Sequence, residues 1–487
     1  MAGSPSVLTS INPIKFGTDG WRGIIAADFT FERLMLVAPL AAQVLRQVYG
    51  PETGNSNTIV VGYDRRFLSE EFARSAAEAI RQQGFDVVFA ESFAPTPAFS
   101  WAAKQMRALG AIVITASHNP GAYSGLKVKS AFGGSVPPEV TQQIEALLAA
   151  NTPLTPAAQP GRFETFNPWT SYCAGLQQLV DIPAIQAAVN SGKLTIIADV
   201  MHGAASTGLS QMLGVEVQEL NSDRDPLFAG GAPEPLPKYL PDLLPTVKNY
   251  QTDGLKVGLV FDGDCDRIAA VDGAGNFLSS QILIPILIEH LATRRGYTGE
   301  VVKTVSGSEL ITKVAEYYGL TVHETPIGYK YIADRMLEAK VLLGGEESGG
   351  IGYGHHIPER DALLAALYVL ETMVKTEIDL GVLYQRLQEK SGYTGAYDRI
   401  DLPLASMEVR AKLVEILNHQ PPQEVAGRAV VSCQTDDGYK FKLNDGSWLL
   451  IRFSGTEPVL RLYCEAANLD TVHQTLDWAR DWANSVN

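Results

Sequence analysis

Cysteine is scarce in this chain of 487 residues: Cys173, Cys265, Cys433 and Cys464 are scattered with no CxxC spacing. That excludes a disulfide framework and gives no zinc-site pattern, as suits a reducing cytosol. Positive charge is also short, with 39 Lys and Arg against 54 Asp and Glu and a formal net charge of −15. Nucleic acid and anionic membrane surfaces need a positive field, so neither is an expected partner. No apolar run approaches the ~18 residues of a membrane span. The first residues, Met-Ala-Gly-Ser-Pro-Ser, lack the basic and apolar regions of a secretory signal. A cytoplasmic enzyme or binding protein is expected, and an anionic substrate would require local basic residues to offset the global repulsion.

What is present is an ordinary globular composition, 46% apolar and 19% charged, at a length that suggests about three or four domains. The first third alternates strand and helix patterns. A β-rich run at Asn57–Gly62 precedes a helix-spaced segment at Ser69–Gln83, and strands follow at Asp86–Ala90 and Ala111–Thr115. After a proline-rich stretch at Pro153, Pro156 and Pro160 the rhythm restarts: strand Leu194–Val200, helix Ala205–Leu213, strands Val215–Leu220 and Lys256–Phe261. A third unit runs through strand Val301–Val305, helix Ser308–Tyr318, strand Leu320–Glu324 and helix Tyr329–Ala339, then Lys340–Leu343. Asp361–Met373 is an apolar helix of buried character. Beyond Gly392 come a helix at Ser406–Asn418, short strands turning at Asn444-Asp445-Gly446, and a closing helix over Asp470–Asn484. The pattern predicts an α/β protein. Three similar α/β domains with mixed, mostly parallel sheets span 1–160, 161–285 and 286–392, and an α+β domain spans 393–487.

Four loops carry candidate chemistry. Ser117-His118-Asn119-Pro120 follows a strand and is read as entering a helix; its serine is either a nucleophile or phosphoryl carrier, or a helix-capping turn residue. Lys127 lies ten residues on as a movable cation. Asp262-Gly263-Asp264-Cys265-Asp266-Arg267 ends an apolar strand, and carboxylates at i, i+2 and i+4 repel unless a cation sits among them. Hard oxygens favour magnesium or calcium. An EF-hand would need a glycine after the third acidic residue and a closing glutamate, and a solvated acidic turn is the other alternative. Gly344-Gly345-Glu346-Glu347-Ser348-Gly349-Gly350 lacks a P-loop lysine and suits sugar hydroxyls, or a flexible linker. Arg452-Phe453-Ser454-Gly455-Thr456-Glu457-Pro458 could cradle a phosphate, with Arg461 nearby, or form a plain turn. Arg22, in Phe16-Gly17-Thr18-Asp19-Gly20-Trp21-Arg22-Gly23, adds to the local positive charge.

FGTDGWRG, TASHNP, DGDCDR, GEESGG and RFSGTEP, in this order, resemble the α-D-phosphohexomutase superfamily across essentially the whole chain. The resemblance implies four domains around a central cleft and a phosphoserine at Ser117. It implies Mg²⁺ held by that group with Asp262, Asp264 and Asp266. Arg22, His118 and Lys127 would attend the reacting phosphate and Arg267 would follow the metal loop. Glu346 and Ser348 would read sugar hydroxyls; Gly328, Lys330 and Arg360 join the substrate-binding set. Arg452, Ser454, Gly455, Thr456 and Arg461 would hold the non-reacting phosphate. The implied activity interconverts glucose 1-phosphate and glucose 6-phosphate, with mannose phosphates as further substrates, through a hexose 1,6-bisphosphate. The implied partners are hexose phosphates and that bisphosphate, handled by a monomer or small homo-oligomer. Two departures stand out. Ser124 replaces the asparagine of the usual Tyr-Asn-Gly-x-Lys, and Gly350 stands where mannose- and glucosamine-type members carry histidine, so His118, Lys127 or Arg360 would supply the acid or base. The alternatives are a glucose-1,6-bisphosphate synthase charged by fructose 1,6-bisphosphate or another phosphoryl donor, and a non-catalytic sugar-phosphate sensor.

Overall fold

The structure is a computed structural model that describes residues 13–17, 19–54, 56–454 and 458–486. It divides into two compact units. The first comprises the described part of Met1–Ser280 with Ala333–Ala339 and Ser348–Gly381; the second comprises Gln281–Ile332, Lys340–Glu347 and the described part of Val382–Asn487.

The first unit is built on two mixed sheets. In the seven-stranded sheet, the parallel strands Gly110–Ile114, Thr58–Tyr63, Asp86–Ala90 and Phe163–Phe166 are flanked by Tyr123–Ser130, Gly20–Ile24 and Phe16–Gly17, which pair antiparallel. Phe163–Phe166 lies beyond the proline-rich stretch and still completes this sheet. Apolar runs such as Ile112, Val113 and Ile114, buried on both faces, are what a covered parallel sheet demands. The five-stranded sheet places Leu194–Asp199 between the parallel strands Leu255–Phe261 and Gln218–Leu220. Leu255–Phe261 then pairs antiparallel with Ile268–Val271. The apolar helix expected near Asp361 is Ala362–Thr376: Asp361 caps it through the Leu364 N–H, and every residue from Ala362 to Met373 is buried.

In the second unit Glu300–Thr304 lies between Val322–Thr325 and Val341–Gly345, all parallel. A six-stranded antiparallel sheet follows in the order Ala396–Pro403, Val459–Ala466, Trp448–Phe453, Tyr439–Leu443, Arg428–Gln434, Glu424–Val425. Leu413 and Leu417 of the helix Met407–His419, and Val472, Leu476 and Ala479 of the helix Leu469–Asn484, pack into its core with Phe441, Leu449 and Leu462. Asn444-Asp445-Gly446 turns one of its hairpins, with Gly446 at φ +86°.

Two expectations need correction. The loop at Ser117 does not enter a helix; it leads into the strand Tyr123–Ser130, which pairs back on Gly110–Ile114. The strand alternates: Leu126 and Val128 occupy one set of positions, Lys127 and Lys129 the other, a period of two that no helix could use. The helix expected over Ala205–Leu213 starts only at Gly208, and the following strand only at Gln218. Residues 201–207 instead wrap the acidic loop: the Ala204 N–H donates to the Gly263 carbonyl at 2.9 Å, and Met201, His202 and Thr207 adopt positive φ.

Candidate active site and metal centre

Ser117 sits just past the C-terminal end of the strand Gly110–Ile114, buried and at φ +53°. Its N–H donates to Thr115 Oγ1 at 2.8 Å. The acidic loop turns between the antiparallel strands Leu255–Phe261 and Ile268–Val271, with Cys265 buried at φ +57°. Strands on both sides rule out an EF-hand, which is flanked by helices. The two loops meet at Gly263, where an added Cβ would lie 2.4 Å from the Ser117 carbonyl oxygen. Only glycine permits that approach.

The contact brings the two chemistries together. Ser117 Oγ donates to Asp262 Oδ2 at 3.1 Å and lies 3.3 Å from His118 Nδ1. Asp262, Asp264 and Asp266 are fully buried, and their carboxylates each present an oxygen within 4.8 Å of the others. Asp262 Oδ1 is occupied by the N–H groups of Asp266 and Arg267, at 2.9 and 3.0 Å. Asp264 Oδ1 and Asp266 Oδ1 are buried and accept no hydrogen bond. Burial, then the neighbouring Asp266 and Asp264, push the Asp262 carboxyl well above its usual range. Clustered, orphaned, hard oxygens next to a serine hydroxyl are a fit for a divalent cation such as Mg²⁺.

Cations already surround the cluster. Lys127 Nζ is buried 2.8 Å from Asp19 Oδ2, 2.8 Å from Asp264 Oδ2 and 2.9 Å from Asp266 Oδ2. Burial pulls its pKa down, but these three carboxylates more than reverse that and hold it above the ordinary lysine value. Arg360 Nη2 reaches Asp266 at 2.7 Å and Asp19 at 2.9 Å. Burial raises the Asp19 carboxyl, yet Lys127, Lys129 and Arg360 outweigh it and hold the group well below the usual carboxylate range. His118 is kept neutral: desolvation first, then Arg267, Arg22, Lys127 and Arg360, push its pKa well below the ordinary imidazole value. Arg22 Nη1 donates to Asn119 Oδ1 at 2.6 Å, which anchors it beside the serine loop. Arg267 approaches Glu234 at 3.8 Å.

The first unit thus brings together Ser117, His118, Arg22, Lys127, Asp262, Asp264, Asp266, Arg267 and Arg360, and it also contains the half-buried Ser348. The second unit holds Gly328, Lys330, Glu346, Arg452, Ser454 and Arg461. Gly328, at φ +134°, precedes the helix Tyr329–Glu338, and Lys330 lies over the Tyr331 ring. Glu346 is buried. Arg452 and Arg461 are direct partners across Trp448–Phe453 and Val459–Ala466, and Arg452 Nε donates to Asp437 at 2.9 Å. Gly455 and Thr456 lie outside the described residues.

Sequence reasoning passed over three supporting residues. Asp19 lies inside a motif already quoted. Lys129 follows Lys127 at strand spacing and pairs with Asp19 at 2.9 Å and Glu359 at 2.6 Å. Arg66 is fully buried and donates to four backbone carbonyls, three in the serine loop, Ser117 (2.5 Å), Asn119 (2.6 Å) and Pro120 (3.0 Å), and that of Tyr123 at the start of the next strand (3.1 Å). Asp64 balances it at 3.2 Å. The only signal for that pair was Asp64-Arg65-Arg66 directly after an apolar strand.

Sequence comparison places the chain among known proteins. Models of the phosphoglucomutase/phosphomannomutase family match in order: α/β/α domain I at residues 13–154, domain II at 170–275, domain III at 279–391 and the C-terminal domain at 408–480. A phosphoglucosamine mutase from Frankia casuarinae is 31% identical over 93% of this chain and 94% of its own length. A phosphoglucomutase/phosphomannomutase from Thermococcus kodakarensis is 27% identical over 95% and 96%. A solved structure from Thermus thermophilus, assigned provisionally as a phosphomannomutase, superposes with a TM-score of 0.83 at 32% identity, covering 97% of this chain and 99% of that one. With four domain matches in sequence and these full-length likenesses, the chain belongs to the phosphoglucomutase/phosphomannomutase family.

Proposed function

We propose that this protein is a phosphohexomutase that interconverts hexose 1-phosphates and 6-phosphates, with glucose phosphates preferred, through a phosphoserine at Ser117. The observation that carries the reading is the 3.1 Å contact of Ser117 Oγ with Asp262 beside two orphaned aspartate oxygens. In this reading Asp262, Asp264, Asp266 and the serine group hold Mg²⁺. The ion supplies charge neutralisation for the transferring phosphoryl group. Ser117 is the carrier: its phosphoryl group passes to the free hydroxyl of a hexose monophosphate, the bisphosphate turns end for end, and the other phosphate returns to Ser117. The transition state is stabilised mostly by position and charge, which Arg22, Lys127 and Arg360 provide. A neutral His118 keeps Nδ1 at 3.3 Å from Ser117 Oγ as a hydrogen-bond partner of the carrier oxygen, and Gly350 leaves no imidazole at the position other family branches use.

In the same reading Glu346, Ser348, Gly328 and Lys330 read the sugar, and Arg452, Ser454, Gly455, Thr456 and Arg461 hold the phosphate that is not reacting. The glucose preference rests on GEESGG; the relatives compared are a glucosamine mutase, a glucose/mannose mutase and a provisional phosphomannomutase. Product analysis with purified protein, Mg²⁺ and the 1-phosphates of glucose, mannose and glucosamine tests it. The highest kcat/KM is expected for glucose 1-phosphate. A higher value for glucosamine 1-phosphate would overturn the glucose preference, and failure on all three would overturn the mutase. Glucose 1,6-bisphosphate accumulating with fructose 1,6-bisphosphate as donor would replace the mutase by the synthase.

A further inference from the structure

The second unit carries a built contact that the motifs do not mention. Strands Arg428–Gln434 and Tyr439–Leu443 are joined through Asp436-Asp437-Gly438. Gly438 adopts φ +89°, and a Cβ there would lie 2.6 Å from the Ile451 carbonyl, so glycine lets the turn lie flat against the strand that bears Arg452. Asp437 then uses both of its oxygens. Oδ1 accepts from Arg452 Nε at 2.9 Å, and Oδ2 accepts from the Ile327 N–H at 2.7 Å. Ile327 immediately precedes Gly328-Tyr329-Lys330.

The rest of the hairpin supports the same junction. Gln434 Nε2 donates to Glu324 Oε1 at 3.0 Å, and the buried Lys440 Nζ donates to the Val305 carbonyl at 2.7 Å. Trp448, Leu450 and Tyr463 pack with Val305 and Ile327 beneath. The turn is thus a strap across two segments of the second unit, and Asp437 is the member that touches Arg452. A hydrogen bond through Nε fixes the plane of a guanidinium, and with it the direction of the terminal N–H fork that grips a phosphate.

We propose that Asp437 is a positioning residue: it locks the Arg452 guanidinium to the backbone that leads into Gly328 and Lys330, so that the group holding the substrate phosphate and those reading its sugar keep a fixed geometry relative to one another. The proposal rests on the reading of Arg452 as a phosphate ligand. Its consequence is kinetic. Phosphate held by a misaligned arginine binds less tightly, and the bisphosphate escapes before it reorients.

Asp437→Asn tests this, because an amide offers one acceptor where two are needed. Compared with the unaltered protein, KM for glucose 1-phosphate is expected to rise about tenfold or more. Turnover should become dependent on added glucose 1,6-bisphosphate, with kcat at saturating bisphosphate within about twofold. Gln434→Ala, which loosens the strap without touching Arg452, should leave both quantities unchanged. Equal effects of the two substitutions would reduce Asp437 to a structural strap and overturn the proposal, as would an Asp437→Asn variant with unaltered KM. Calorimetric binding of glucose 6-phosphate gives a readout apart from turnover. If the unaltered protein interconverts no hexose phosphate, the mutase reading fails, while weaker binding to Asp437→Asn still supports the role of Asp437 and equal binding overturns it.

Discussion

The most consequential single residue after Ser117 is Arg66. Ser117 itself contributes a hydroxyl, and Ser117→Ala is expected to abolish phosphoryl transfer while thermal unfolding moves by no more than about 2 °C; turnover near that of the unaltered protein would sink the phosphoserine. Arg66 contributes geometry. Its guanidinium satisfies three carbonyls of the serine loop and that of Tyr123, where the next strand begins, and it sits 4.7 Å over the Phe228 ring. A lysine is a point donor and cannot reproduce that fork. Arg66→Lys should therefore cost about 1–3 kcal/mol of stability and lower kcat about tenfold or more. Urea unfolding together with steady-state kinetics checks both, and a kcat unchanged in a destabilised protein would confine Arg66 to folding.

At the scale of elements, the site is made by a strand and by the contact of two turns. Tyr123–Ser130 alternates apolar and cationic positions, so one strand feeds Leu126 and Val128 to the core and Lys127 and Lys129 to the carboxylates. Buried lysines persist only when paired, and Asp19, Asp264, Asp266 and Glu359 pair them. The second condition is the touch of the acidic turn on the serine turn at Gly263. Gly263→Ala places a methyl 2.4 Å from the Ser117 carbonyl oxygen and 2.9 Å from Pro233, so the turns must part. The expected result is about 1–3 kcal/mol of destabilisation and a higher Mg²⁺ concentration for half-maximal turnover. A magnesium titration of activity reads this directly; an unchanged midpoint would show that the turns act independently.

For the whole molecule the division into two units has a thermodynamic consequence. Chains with separate compact units do not unfold in one two-state step. Calorimetry should resolve two transitions. All three aspartates and Ser117 belong to the first unit, so Mg²⁺ should raise only one of them, by mass action on the folded form. At about 100 times its Kd the ion stabilises by about 2.7 kcal/mol, a shift of a few degrees. A single transition, or an equal shift of both, would contradict this. Asp262→Asn should remove the shift and leave the other transition in place.

The α/β class, the positions of many strands and about half of the helices, though not the long helix Phe31–Tyr49, and the residues of the acidic and serine loops were legible along the chain. Those signals are local: apolar periodicity, glycine and proline punctuation, and carboxylates too close to coexist without a cation. Folding in three dimensions settled what periodicity cannot encode. It turned the segment after Ser117 into a strand, because Lys127 and Lys129 find buried carboxylates only on one face of the sheet. It shortened the helix before Leu213, because residues 201–207 serve the acidic loop. It also gave Asp19, Arg66 and Asp437 their partners; those of Asp437, Arg452 and Ile327, lie 15 and 110 positions away along the chain. Long-range pairs of this kind leave no periodic trace in a single sequence, since the energy that selects them appears only when the chain has closed.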